Sequence, residues 1–213
     1  MAKAGKNARI KVMSDASAVP FTSEATTADA SRIEYRITNR TKRYWSRTTP
    51  VVVETSPNGS TWTVVTSGYR IAHAGGKIMF YVPRATGTQV RVSGAFVAVT
   101  TVAEVREYTM SGTNALVDVT VLESDGWRKQ LSTIRGASGS LTGFYNVNNL
   151  LQDKLLSGTA LVVELDVDSS DNNGEYFAFY ALLASQELSV AVDGAVGTSV
   201  PWESDGDILI EAK

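Results

Sequence analysis

Hydrophobic residues recur at every second position over most of the chain. Ile33, Tyr35 and Ile37 alternate with charged neighbours, and short runs of the same kind follow at regular intervals. A period of two places alternate side chains on opposite faces of a strand, so the pattern predicts an all-β (mainly β) protein, a sandwich or a barrel. The other predicted strands span residues 51–54, 62–65, 77–82, 89–99, 104–108, 115–122, 139–145, 160–167, 176–184, 187–192 and 207–210.

A turn signal separates two of these strands. Asn58-Gly59 lies between the runs at 51–54 and 62–65. Both residue types tolerate a positive φ, so the pair predicts a β-hairpin.

One stretch departs from the strand period and predicts a short α-helix near residues 147–157. Its apolar residues are four positions apart, which places them on one helical face. The stripe is Val147, Leu151 and Leu155, with Asn146 or Asn148 as the N-cap and Gly158 just after the helix.

Composition divides the chain into three segments. Residues 1–31 are rich in Ala, Ser and Thr, are interrupted by Pro20, and predict an extended N-terminal arm that needs a partner to order it. Residues 32–100 predict an N-terminal β region without a helix. Residues 101–213 predict a second β region that holds the helix near 147–157.

Charge is distributed unevenly between the two halves. Residues 1–100 hold 14 Lys and Arg against 5 Asp and Glu, whereas residues 101–213 hold 6 against 17. Three interpretations fit this asymmetry: a nucleic-acid-binding half, self-association between opposite potentials, or two solvated faces without a role.

Candidate catalytic and metal-binding residues are scarce. The chain has no cysteine and one histidine, His73, which lies beside a glycine turn. A nucleophile needs a base next to it, and transition-metal sites need several His or Cys ligands. We therefore predict no catalytic residues, no metal, no cofactor and no enzymatic activity.

Acidic residues offer only weak alternatives. Asp166, Asp168 and Asp171 superficially resemble a calcium loop, but strands rather than helices flank them, and a polar turn explains them better. A hydrolase with paired carboxylates across a cleft stays open as the enzymatic alternative.

Arginines cluster in the first half, interleaved with aromatic residues. Such a pattern suits phosphate contacts and base stacking, but the rest of the chain is acidic and the sequence pI is about 5.5. We therefore favour contacts between subunits for these arginines. They are Arg32, Arg36, Arg40, Arg43 and Arg47. No apolar run approaches the roughly 18 residues of a membrane helix, so no membrane partner is predicted.

A run of glycine-punctuated strands in the second half resembles the tail tube proteins (major tail proteins) of long-tailed, non-contractile bacteriophages, the siphophages. It begins at 118–122, continues through Gly126-Trp127-Arg128 and Ile134-Arg135-Gly136, and ends at 139–145. The resemblance suggests packing roles for five residues. They are Trp127, Gly136, Gly139, Gly143 and Phe144.

The resemblance implies a β-sandwich or barrel, shared with the type VI secretion tube protein and flanked by one helix. It implies rings of six subunits, or a pseudo-hexameric trimer, whose inner sheets join around a channel. Rings would stack head to tail, with the N-terminal arm and a long loop reaching the next ring. It further implies a place in the virion tail after assembly in the host cytoplasm. The partners would be other copies, tape measure protein and DNA in the lumen, and tail terminator and distal tail proteins.

Charge and resemblance together suggest how such a tube would pass DNA. Carboxylates of the second half are expected to line the channel and repel phosphate, while the basic residues face outward or lie between rings. The alternative function is a carbohydrate- or host-binding β-sandwich module, a decoration or an adhesin, with an exposed aromatic platform.

Overall fold

The computed structural model of the chain describes residues 9–13, 18–101, 105–121, 127–144, 150–166, 174–190 and 196–212. These residues form antiparallel β-sheets and a single short α-helix, which confirms the predicted all-β class. The contacts group the chain into two units. The first is Met1–Val102, Val162–Phe179 and Leu209–Lys213, and the second is Ala103–Leu161 and Tyr180–Ile208.

The described strands number sixteen. They are β1 (Arg9–Met13), β2 (Val19–Ala28), β3 (Glu34–Ile37), β4 (Val52–Ser56), β5 (Thr63–Val65), β6 (Tyr69–Ala72), β7 (Lys77–Phe80), β8 (Gln89–Phe96), β9 (Val99–Thr101), β10 (Val105–Asp118), β11 (Gln130–Phe144), β12 (Leu161–Asp166), β13 (Glu175–Leu183), β14 (Glu187–Ser189), β15 (Gly197–Ser204) and β16 (Leu209–Ala212). The helix α1 is Leu150–Ser157, and short 3-10 turns occupy Arg40–Lys42 and His73–Gly75.

A seven-stranded sheet in the first unit has the order β5-β4-β8-β2-β3-β7-β6. β2 pairs with β8 through Ala25 and with β3 from Thr26 onward, and a bulge lies between Phe21 and Glu24. At that bulge Ser23 adopts a φ of 54°, which bends the strand. The strands on the two sides of β2, which are β5-β4-β8 and β3-β7-β6, therefore share one core around Trp45. The buried core comprises Phe21, Tyr35, Ile37, Trp45, Val53, Ile78, Phe80, Val90 and Val92.

The predicted hairpin forms between β4 and β5, with a longer loop than two residues. The strands pair from Val53 and Val65 to Thr55 and Thr63. Asn58 Oδ1 accepts hydrogen bonds from the backbone N–H groups of the two residues at the end of the turn, and Gly59 has a φ of 77°. Asn58 and Gly59 thus form the turn that the sequence predicted, Asn58 through its side-chain hydrogen bonds and Gly59 through its positive φ.

The other sheet strands of the first unit include β1, which lies between β9 and β12. Within this unit β16 pairs with the first half of β13. β12 is buried along its whole length, including the carboxylates of Glu164 and Asp166. These two charges therefore lie inside the protein and need polar partners.

Two stretches of the segment predicted as an arm are strands of these sheets. β1 buries Ile10 and Val12 on one face, and β2 buries Phe21. Pairing on both edges of β1 supplies the hydrogen bonds that order it without a partner molecule. Residues 1–8 and 14–17 of that segment lie outside the described residues.

The second unit contains the order β10-β11-β15, with β14 and the end of β13 also pairing with β15. The predicted strands at 104–108 and 115–122 are parts of the single strand β10, whose middle is polar. β15 was not predicted, although Thr198, Val200 and Trp202 are buried at a period of two. Ser199 and Pro201 between them weaken the apolar signal.

The predicted helix is confirmed over Leu150–Ser157. Leu151 is buried, and Gly158 follows with a φ of 61° and donates its N–H to the Leu155 carbonyl at 3.2 Å. A left-handed glycine just after the last turn ends a helix in this way. The proposed caps Asn146 and Asn148 lie outside the described residues.

Candidate assembly interface

The outer part of the β10–β11 hairpin is a two-stranded ribbon. β10 and β11 pair from Val105 and Gly143 to Asp118 and Gln130, but β15 pairs with β11 only from Ser138 to Phe144. Beyond Ser138 no third described strand flanks the pair. We call residues 111–121 with 127–137 the distal ribbon. Nearly all of its described side chains are exposed, on both faces.

One face of the distal ribbon carries a row of apolar side chains. Val117 lies opposite Leu131, and Val119 continues the same face two residues further along. These three are 49%, 56% and 44% exposed, and Trp127 at the end of the ribbon is 79% exposed. Val121 extends the row. A contiguous apolar row on a protruding pair of strands marks an interaction surface.

Polar contacts hold the end of the ribbon in register. Arg128 Nε donates to Asp118 Oδ2 at 3.0 Å, and Val119 N donates to the Lys129 carbonyl at 3.0 Å. Hydrogen bonds from Thr120 to Asp118 hold the pKa of that carboxyl below its usual range. Because these groups are solvent-exposed, they fix geometry more than they stabilise the fold.

Three glycines of β11 for which the resemblance suggested packing roles have different surroundings. They are Gly136, Gly139 and Gly143. A Cβ on Gly139 would lie 1.9 Å from the Thr109 carbonyl oxygen and 2.7 Å from the Trp202 ring, so this position needs glycine. A Cβ on Gly136 would have its nearest neighbour at 3.5 Å. Gly143 lies in register with Val105 of β10 and with Thr198 of β15.

The two aromatic residues of the resemblance are exposed. Phe144 is 41% exposed and lies under the Arg106 guanidinium, 4.8 Å from the ring centroid. Trp127 has little of its surface covered within the chain. The structure therefore places neither aromatic side chain in the described core, and both are available for contacts with another molecule.

The predicted arginine cluster does not form one surface. Arg32 donates to the Thr86 hydroxyl at 2.7 Å, and Arg36 pairs with the buried carboxylate of Glu211. Glu211 also receives Lys77 Nζ at 2.6 Å, so Arg36 helps to neutralise a buried charge inside the chain. The structure brings Arg40 and Arg43 together at one cavity.

Arg40 and Arg43 line a cavity of about 600 Å³ in the first unit. Both lie against Tyr176: Arg43 Nη1 donates to its hydroxyl at 3.2 Å, and the Arg40 guanidinium lies 5.8 Å from its ring centroid. The 3-10 turn Arg40–Lys42 positions the pair, and Asn39 Oδ1 caps this turn by accepting from Thr41 N at 3.1 Å.

Glu164, the carboxylate that lines this cavity, already has partners within the chain. The buried Glu164 carboxylate receives Lys11 Nζ at 2.5 Å on one oxygen and the Tyr44 hydroxyl on the other. Burial, then the charge of Glu164, raises the pKa of Tyr44 far above its usual range, so the phenol keeps its proton and donates it. Sequence reasoning missed Glu164, whose only signal was a carboxylate within the apolar run of β12.

His73 lies in the 3-10 turn His73–Gly75 and is half-buried. Burial, and then the charge of Arg47, lowers the pKa of His73, and its backbone carbonyl accepts from Trp45 N at 2.9 Å. Within the described ranges no group of three or more His, Cys, Asp or Glu side chains is placed to hold a metal. Asp168 and Asp171 lie outside those ranges. No described helix is long and apolar enough to span a membrane.

Comparisons with known proteins give a matching family model and similar solved structures, including two from gene transfer agent particles. The sequence model of a family described as phage tail tube protein matches residues 72–209, more than half of the chain. No curated protein matches. A chain in the virion of a native gene transfer agent particle is 21% identical, with a TM-score of 0.46 over 54% of this chain and 89% of that chain. A chain in the tail of an empty gene transfer agent particle, refined helically with C6 symmetry, is 21% identical with a TM-score of 0.47 over 54% and 87%.

Proposed function

The chain belongs to the phage tail tube protein family, and from that premise we propose that its copies stack as six-membered rings into a hollow tube through which DNA leaves the virion. The tube would form part of a siphophage tail. In this proposal tape measure protein and DNA occupy the lumen, and tail terminator and distal tail proteins close the two ends.

The observation that carries the proposal is the apolar face of the distal ribbon. Its exposed residues are spaced by the strand period, and Val117 and Leu131 are in register, so they present a preformed contact surface. Burying one such side chain contributes about 1.5–3 kcal/mol. Covering the row with a neighbouring copy would thus offset the loss of translational and rotational entropy on association and would drive stacking.

A second feature supports rings within the stack. β10 ends the strand order of the second unit, and its outer edge has no described neighbour. An exposed edge with free backbone N–H and C=O groups is a template for pairing with another strand. Joining edges from copy to copy around a closed ring satisfies these groups and encloses a channel.

Charge supports the passage of DNA. The second half of the sequence carries 17 acidic residues against 6 basic ones. Carboxylates facing the channel would repel the phosphate backbone, so the nucleic acid would slide without binding.

Electron microscopy of the concentrated, purified chain tests this proposal. We expect hollow tubes of stacked rings, with six-fold end-on views. Three-fold views would retain the tube but correct the subunit number to a pseudo-hexameric trimer. A stable monomer at high concentration, both alone and after seeding with preassembled tail tips, would show that the chain does not polymerise.

A further inference from the structure

The cavity at Arg40 and Arg43 has an unbalanced positive charge. Lys11 and Glu164 compensate each other at 2.5 Å. No described carboxylate lies within ion-pairing distance of the Arg40 or Arg43 guanidinium, and their described contacts are to the neutral Tyr176. Two cations in one concave site, with the nearby acid already paired, favour an anionic occupant with about two charges.

The apolar residues that line the cavity also limit what kind of molecule can bind there. Phe96, Ala98 and Val99 line it beside the arginines. An occupant that combines carboxylates with apolar neighbours suits these walls better than a free inorganic anion. The volume of about 600 Å³ admits several side chains rather than one ion.

One segment of the sequence has this chemistry. Residues 122–126, which connect the strands of the distal ribbon, read Leu-Glu-Ser-Asp-Gly. The segment carries Glu123 and Asp125, has no cation, and follows the apolar residues Val119 and Val121. The eleven residues of each ribbon strand, at about 3.3 Å each, extend roughly 36 Å, a length suited to reaching another molecule.

We propose that residues 122–126 of one copy bind in this cavity of a second copy, with Glu123 and Asp125 paired to Arg40 and Arg43. The contact is heterologous, because the ribbon and the cavity are different surfaces. It therefore propagates from copy to copy without closing on itself. This inference rests on the proposed function and specifies which two surfaces meet when copies stack.

Cysteine cross-linking tests the contact directly, because the chain contains no cysteine. A tagged Thr41→Cys variant, with its cysteine at the cavity, is mixed with an untagged Ser124→Cys variant, and the polymer is oxidised. We expect a tagged heterodimer on a non-reducing gel. Thr63→Cys, on an exposed position of β5, replaces Thr41→Cys as the matched control and should give no heterodimer. Polymer without the Thr41–Ser124 cross-link overturns the inference.

Charge reversal gives an independent test. Arg40→Glu with Arg43→Glu, or Glu123→Lys with Asp125→Lys, should raise the concentration needed for polymerisation about tenfold or more. Mixing the two double variants should restore polymer, because reversed charges again meet their opposites. Rescue of this kind cannot come from refolding of either variant.

The outcomes separate this inference from the proposed function. Normal polymerisation by both reversed variants, or no recovery on mixing, overturns the contact and leaves the tube proposal standing. A wild-type chain that never polymerises contradicts the tube proposal, and the contact with it.

Discussion

Gly139 and Gly136 lie three residues apart in β11, yet only one of them has a steric reason to be glycine. At Gly139 the backbone of β10 and the Trp202 ring fill the space that a side chain would take. At Gly136 a Cβ would make only ordinary van der Waals contacts, the nearest at 3.5 Å. The sequence indicated a need for small residues across this stretch, but it does not show which position lies against a neighbouring strand.

We expect Gly139→Ala to destabilise the protein by about 1–3 kcal/mol, because the Thr109 carbonyl must move before a Cβ fits. Urea denaturation followed by circular dichroism measures this change. Gly136→Ala is the matched control and should alter stability by less than about 0.5 kcal/mol. Equal losses for both variants would show that the close approach at Gly139 is not a constraint.

Trp127 shows another limit of residue-level prediction. The resemblance suggested a packing role, but its side chain is 79% exposed in the single chain. An aromatic residue that packs against another copy has the same sequence pattern as one that packs inside the protomer. Structure separates the two cases, since only the second is buried in isolation.

Strands with a clear apolar face were predictable, whereas strands without one were not. β3, β4 and β12 follow from alternation or from continuous apolar residues, and the helix follows from leucines four apart. The middle of β10, from Ser111 to Asn114, is polar on both faces, because the ribbon there has no core to cover. β1 and β2 were predicted as part of an arm from their Ala, Ser and Thr content and from Pro20; each buries only one or two apolar residues, so their strand signal is weak.

The arrangement of the first-half arginines could not be predicted from the sequence for a related reason. The arginines were selected as a group, but backbone topology separates Arg36 from Arg40 and Arg43 and pairs it with Glu211. That partner is 175 residues away in the sequence. Pairings over such distances depend on strand order, which local patterns do not encode.

The apolar face of the distal ribbon makes a prediction at the level of the element. Replacing Val117, Val119 and Leu131 together by Thr removes apolar surface while keeping side chains suited to strands. We expect the circular dichroism spectrum to stay unchanged and polymer yield to fall about tenfold or more, as measured by sedimentation.

Leu116→Thr is the control for that experiment. Leu116 is as exposed as these residues but lies on the opposite face, in register with Ser132. Its substitution should leave most polymer intact. If Leu116→Thr blocks assembly while the triple variant does not, the contact face has been assigned to the wrong side of the ribbon.

At the scale of the whole molecule, the proposed assembly would combine two different forces. The apolar row is insensitive to simple salt, whereas contacts between a basic cavity and acidic side chains are screened by it. The charge difference between the two halves was visible in the sequence. The sequence did not show that Arg40 and Arg43 lie together in one cavity. Salt dependence therefore distinguishes which force limits polymerisation.

Raising sodium chloride from 0.1 M to 1 M shortens the Debye length from about 10 Å to about 3 Å. If the Arg40–Arg43 cavity binds carboxylates of the next copy, the concentration of unpolymerised chain should rise several-fold over this range, as measured by sedimentation. A variant with Arg40→Gln and Arg43→Gln should start higher and change little, because it has no cavity charge left to screen. A wild-type polymer that is unaffected or strengthened by sodium chloride would show that apolar burial alone limits stacking. In that case the excess positive charge of the cavity is not what joins the copies.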